Sequence, residues 1–100
     1  MSILVVSQFT VANAMAQQVT DAFMNRPHLV DSAPGFLKME VHHSQDNANE
    51  FWLLTWWTDD ISYQTWHRSH AYHESHSGIP KGLKLLPKST KITVMTHIAD

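Results

Sequence analysis

The sequence predicts a ferredoxin-like α+β domain with the element order βαββαβ. Three observations carry this. Four segments alternate or run apolar at strand length, at Ser2 to Val11, Phe36 to Gln45, Phe51 to Thr58 and Ser89 to Ile98. Two segments between them repeat apolar residues at helical spacing or open with a helix start. The whole fits in 100 residues with 43% hydrophobic and 16% charged residues, which is the composition of one folded domain, residues 1–100, and not of a disordered chain.

"SILVVSQFTV" is rich in β-branched and aromatic residues. Alternation puts Ile3, Val5, Ser7 and Phe9 on one face, so Ser7 is the one polar side chain in an apolar row. "VANAMAQQVTDAFMNRPHLV" reads as a helix through Ala12, Met15, Ala16, Val19, Ala22 and Phe23, ending near Arg26 because Pro27 cannot continue it. "DSAPG" is a turn. "FLKMEVHHSQ" alternates, with Leu37, Met39, Val41 and His43 on one side, and "DNANE" closes a hairpin. "FWLLTWWT" is apolar on both faces: Trp52, Leu54 and Trp56 on one, Phe51, Leu53 and Trp57 on the other. Such a strand is covered twice, by helices on one side and most simply by a second subunit's sheet on the other. A second helix starts at "TDDISYQTWHRS", with Thr58 or Asp59 as its cap. Gly78 and Pro80 stop helix formation further on, and "STKITVMTHI" is the last strand.

Composition excludes several functions. The formal net charge is −2 and there is no extended Lys/Arg cluster, so the electrostatic footprint of a nucleic-acid binder is missing. With no cysteine, disulfides, thiolate catalysis and Cys-ligated metal centres are out. The first residues make a poor signal peptide, and no apolar run reaches the ~18 residues of a membrane span. The expectation is a soluble, cytoplasmic protein with no membrane partner.

Eight histidines stand out, and four of them, His67, His70, His73 and His76, recur every third residue in "TWHRSHAYHESHSG". Three residues turn an α-helix by about 300°, so successive members drift by about 60° and all four cannot meet one ion. No HExxH pattern occurs. Surface placement is the simpler expectation for His67, His70 and His73, and for His28, His42, His43 and His97, since imidazole is cheap to expose. His76 differs, because it falls just before the helix-stopping Gly78 and Pro80. Trp52, Trp56 and Trp57 read as packing residues.

"FMNRPHLVDSAPGFL", "FWLLTWWTDDISYQTW" and a histidine ten residues after Trp66 resemble the antibiotic biosynthesis monooxygenase domain, and within it the heme-degrading, IsdG-type branch. The likeness runs from Ser2 to about His97. It implies a dimeric α/β-barrel, in which two sheets pack, and a heme pocket between sheet and helices. Heme would be both substrate and cofactor, opened oxidatively with release of iron. The resemblance assigns Trp66 to press on and ruffle the porphyrin, and His76 to the proximal iron site, with His73 as the alternative ligand. Phe23 would line the pocket and Arg26 would sit near a propionate. Ser7 falls where the family has a catalytic Asn. A hydroxyl both donates and accepts but is shorter. The chain shows no flavin or nicotinamide motif, so an external electron donor, through an unidentified reductase, is implied. Two other readings stay open: a cofactor-free monooxygenase acting on an aromatic or quinol substrate, and a heme-binding protein without enzymatic activity.

Overall fold

A computed structural model describes residues 2–69, 72 and 79–100. The elements run β1 (Ile3–Thr10), α1 (Ala16–Met24), a 3-10 turn (Leu29–Ser32), β2 (Phe36–His43), β3 (Glu50–Trp57), α2 (Asp60–His67) and β4 (Lys91–Thr96). The strands form one antiparallel sheet in the order β2-β3-β1-β4. This is the expected ferredoxin-like fold, with the two helices on one face.

The alternation read for β1 holds in register. Ile3 pairs with Trp57, Ser7 with Leu53 and Phe9 with Phe51 on β3, while Val5 pairs with Val94 and Ser7 with Ile92 on β4. Directly paired residues point to the same side. That side meets the helices and holds two separate core clusters. Ile3, Val5, Val30, Trp57 and Tyr63 make the first, with Trp66, Phe36, Met39 and Ala33 packed on it. Val11, Val19 and Phe51 make the second, with Phe9, Phe23 and Val41 packed on it. Trp57 is fully buried, edge-on to both Phe36 (5.5 Å) and Tyr63 (5.8 Å).

Two boundaries differ from the sequence expectation for physical reasons. The first helix begins at Ala16, not at Ala12. Ala14 has φ 59°, and the Asn13 amide donates to the Gly82 carbonyl (2.7 Å) and accepts from Lys84 N (3.3 Å). The Val11–Ala14 stretch is therefore held by the chain before β4, with Ala12 N bonded to Lys84 O at 2.8 Å. In β2, Phe36 pairs with Trp57 and Lys38 with Trp56, so Leu37 is the extra residue of a bulge. The bulge takes Leu37 out of the row with Met39 and leaves it exposed, and Phe36 fills the core instead.

The second helix starts as expected. The Asp59 carboxylate accepts from Ser62 N at 2.8 Å. Hydrogen bonds from the Ser62 side chain and backbone hold its carboxyl below the usual carboxylate range. A group depressed in the folded state stabilises above its unfolded value, near 4, and that contribution is lost as pH falls through the folded value. Asp59→Ala is expected to lower the melting temperature by a few degrees at pH 7, with the difference shrinking at pH 3. Thermal melts at the two pH values check this.

Candidate functional site

Ser7 stands at the break between the two core clusters. Its neighbours along the same face are Val5 in the first cluster and Phe9, which packs on the second. Its cross-strand neighbours are Leu53 and Ile92. The hydroxyl is half-buried and makes no side-chain hydrogen bond to any described residue. On β4 the helix-facing Ile92 and Val94 are 51% and 46% exposed. The sheet therefore presents a mostly apolar surface on the side where the helices pack, interrupted at its middle by the Ser7 hydroxyl; the Thr55 hydroxyl on the same face already accepts from Trp57 Nε1 at 2.9 Å.

Trp66 lies on the last turn of α2 and packs on the Ile3–Val5–Trp57–Tyr63 cluster, so it faces the same side of the sheet as Ser7. Its ring meets Tyr72 edge-on at 6.1 Å. Trp66 also walls a groove of about 350 Å³ between α2 and the segment that carries the 3-10 turn, with Leu29, Ser32, Pro34, Ile61 and Thr65 among its lining residues. Ser7, Phe23 and Arg26 do not line that groove. A second concavity, on the opposite face of the sheet, is lined by His42, His43, Ser44, Glu50, Trp52 and Leu54.

Phe23 belongs to an aromatic stack. Its ring lies 6.5 Å from Phe9 and 6.3 Å from Phe51, and Phe9 stacks on Phe51 at 5.5 Å. This stack borders Ser7 on the side away from Trp66. Arg26, 21% exposed, is already engaged: both terminal nitrogens point at Asp31 Oδ1, at 3.3 and 3.4 Å. His76 and its alternative His73 lie outside the described residues, as does His70.

The other histidines divide by surroundings. His28 meets Asp31 at 3.1 Å and His42 meets Glu40 at 2.8 Å; both are exposed. His43 is exposed and stacks on Phe51 (6.2 Å), and His97 is held near Ser2 and Asp100. His67 corrects the expectation of a solvent-facing ring. It is half-buried between Tyr63 (5.7 Å) and Tyr72 (4.6 Å). Burial, followed by the charges of Tyr72 and Asp60, pushes the Tyr63 hydroxyl up, so it stays a neutral donor at physiological pH. Among the described residues no group of three or more His, Asp or Glu side chains is arranged to hold a metal ion.

The outer face of the sheet carries Leu4, Val6, Leu54 and Trp56, with Trp52 38% and Met95 43% exposed. Trp52 and Trp56 thus lie outside the core, unlike Trp57. Along β2 this strip is edged by Lys38, Glu40 and His42. The Lys38 ammonium sits 5.1 Å from the Trp56 ring and also pairs with Glu40, whose carboxyl it holds, together with His42, below the usual range.

The profile of the antibiotic biosynthesis monooxygenase family matches residues 2–78. The chain belongs to this family. Among characterised relatives of this monooxygenase chain, the staphylobilin-producing heme oxygenase of Staphylococcus haemolyticus is 28% identical over 80 residues, covering 78% of this chain and 76% of the relative. The mycobilin-producing heme oxygenase of Mycobacterium tuberculosis is 23% identical over 82 residues, covering 80% and 78%. The fold is shared with the heme-degrader MhuD of M. tuberculosis with two hemes bound in its active site (TM-score 0.79, 18% identity, 98% of this chain and 97% of that one). It is shared equally with SnoaB, a cofactor-independent oxygenase from Streptomyces nogalater (TM-score 0.77, 16% identity, 99% and 95%). Fold alone does not choose between these two chemistries. No helix among the described residues is long and apolar enough to cross a membrane.

Proposed function

We propose that this chain is a heme-degrading monooxygenase that binds heme against the helix-facing side of its sheet and opens the porphyrin. The observation that carries the proposal is the position of Ser7. It puts a hydroxyl that makes no side-chain hydrogen bond to a described residue among Leu53, Ile92 and Val94, on the face that Trp66 also meets. The described residues fit a porphyrin in kind. A flat apolar ligand covers exposed aliphatic surface, worth about 25 cal/mol per Å² removed from water. The Trp66 indole supplies a rigid wall that can push a planar ring out of plane. Bound heme would supply the iron that activates dioxygen, with electrons from an external donor. Ser7 would offer a hydrogen bond to the bound ligand, directly or through one water. His76, or His73 in its place, would hold the iron. Both the 28% identical relative and the 23% identical one are heme oxygenases, which supports this reading over others in the family.

The test is a titration of purified protein with hemin, followed by its Soret band. A saturating shift supports the reading. An unchanged spectrum would move it to a cofactor-independent oxygenase acting on an aromatic or quinol substrate. A Soret complex that resists reductant would instead mark a heme-binding protein without turnover.

The outer strip of Leu4, Val6, Leu54, Trp56 and Met95 is proposed to pack against a second copy of the chain, closing a two-sheet barrel. Its half-exposed tryptophans support this. A charge buried at the centre of such an interface costs several kcal/mol. Leu54→Lys is therefore expected to turn a dimer into a monomer at micromolar concentration, as read by light scattering. A mass unchanged by the substitution would refute this packing.

A further inference from the structure

We propose that His67 and Tyr72 are positioning residues for Trp66: the Tyr72 ring, held by His67, fixes the indole that meets the ligand. The inference rests on the heme reading and names residues that set the geometry of the site within it. Aromatic rings touch in series from the core to Trp66. Trp57, fully buried, meets Tyr63 at 5.8 Å, and Tyr63 meets His67 at 5.7 Å. His67 meets Tyr72 at 4.6 Å, and Tyr72 meets Trp66 at 6.1 Å with the ring planes 84° apart. The series ends on the residue that walls the groove and packs on the Ile3–Val5–Trp57–Tyr63 cluster. Among the described histidines only His67 contacts more than one aromatic ring.

Hydrogen bonds make the same connection. The Ser69 hydroxyl donates to Trp66 O at 2.7 Å and accepts from Tyr72 N at 3.1 Å, so one side chain joins the end of α2 to Tyr72. Ser69 N also donates to Trp66 O, at 2.9 Å. Trp66 and His67 are adjacent in the chain, and on a helix their side chains point about 100° apart. A ring that rests on both ties them together. Core packing leaves the indole half-buried, and Tyr72 is its one aromatic contact among the described residues. An edge-to-face pair fixes orientation as well as distance, because the positive edge of one ring seeks the negative face of the other. An indole already held where a flat ligand needs it loses less freedom on binding. Removing the His67–Tyr72 contact gives up about what one aromatic pair is worth, which corresponds to an about two- to tenfold weaker Kd. Tyr72 also directly precedes His73 in the chain, so the same contact holds the residue from which the stretch with both candidate iron ligands begins.

The experiment compares wild type, His67→Ala, His67→Phe, Tyr72→Leu and Tyr72→Phe, each with a thermal melt as a folding control. In the free protein the Trp66 indole N–H is followed by NMR, its signal identified by its loss in Trp66→Phe. The purified full chain is then titrated with hemin. The decisive variant is His67→Ala, because the ring it removes touches Tyr72 and acts on the indole only through it. The expected result is a displaced Trp66 signal and an about two- to tenfold higher hemin Kd in His67→Ala and in Tyr72→Leu. His67→Phe and Tyr72→Phe keep a ring and are expected to stay close to wild type in both readouts. His67→Ala is expected to add little in the Tyr72→Leu background, because both remove one contact. An unmoved indole signal in a folded His67→Ala protein would overturn the inference. So would Tyr72→Phe behaving like Tyr72→Leu, which would assign the effect to the hydroxyl. If wild type binds hemin and a folded His67→Ala protein matches its Kd, the inference alone fails. If none of these proteins binds hemin, the heme reading fails and takes the inference with it.

Discussion

Gly35→Ala is expected to destabilise the fold by about 3 kcal/mol or more, lowering the melting temperature by more than about 10 °C. Two effects add. Gly35 sits at φ 83°, where an L side chain is strained by about 1–2 kcal/mol. A Cβ there would also collide with Ser62 Oγ and Cβ and lie 2.7 Å from Thr58 Oγ1. The hydroxyls could rotate away, but the Ser62 Cβ moves only with the helix. Gly35 O also accepts from Thr58 N at 2.8 Å, so the turn is pinned at the same place. Relief must come from a shift of the first turn of α2, the turn whose Ser62 N is held by Asp59. The same helix carries Trp66, so loss of stability and altered ligand binding should appear together. Gly82→Ala is the control. It has nearly the same φ, 81°, but no atom within 4 Å of the added Cβ, so only the backbone cost of about 1 kcal/mol is expected. Thermal melts of the two variants separate strain from collision.

If His76 holds the iron as proposed, His76→Ala is expected to abolish the shifted Soret band and to weaken hemin binding at least about tenfold. His73→Ala is expected to leave the band in place. The reverse pattern would assign the iron to His73. Loss in neither variant would contradict histidine ligation from this stretch. Because Trp66 and Ser7 remain in both proteins, residual binding reports the apolar face alone.

Much of this was legible in the sequence because it depends on local periodicity. The β1 alternation placed Ser7 on the face of Ile3, Val5 and Phe9, and the strand register bears that out. The two apolar faces of "FWLLTWWT" were equally plain, and they correspond to a buried Trp57 on one side and the exposed Trp52 strip on the other. What was hidden rests on contacts distant in the chain. The late start of α1 is imposed by Asn13 reaching residues 82 and 84, and no local pattern signals that. The Leu37 bulge is set by pairing with β3. Half-burial of His67 follows from Tyr63 and Tyr72 closing around it, whereas the three-residue histidine spacing suggested an open surface. The Arg26–Asp31–His28 cluster was missed as well. The residues are close enough in sequence to have been paired on paper, but the left-handed conformation of His28 beside them carries no local sequence signal.

The most direct measurement is iron release. Protein loaded with one equivalent of hemin is given ascorbate in air, with catalase present to remove free peroxide, and ferrous iron is followed with a chromogenic chelator alongside the Soret band. The expected result is stoichiometric iron appearing as the Soret band decays, with both slowed in Trp66→Ala. A Soret band that persists with no iron released, under conditions where the complex is fully formed, would contradict heme degradation as the function of this chain.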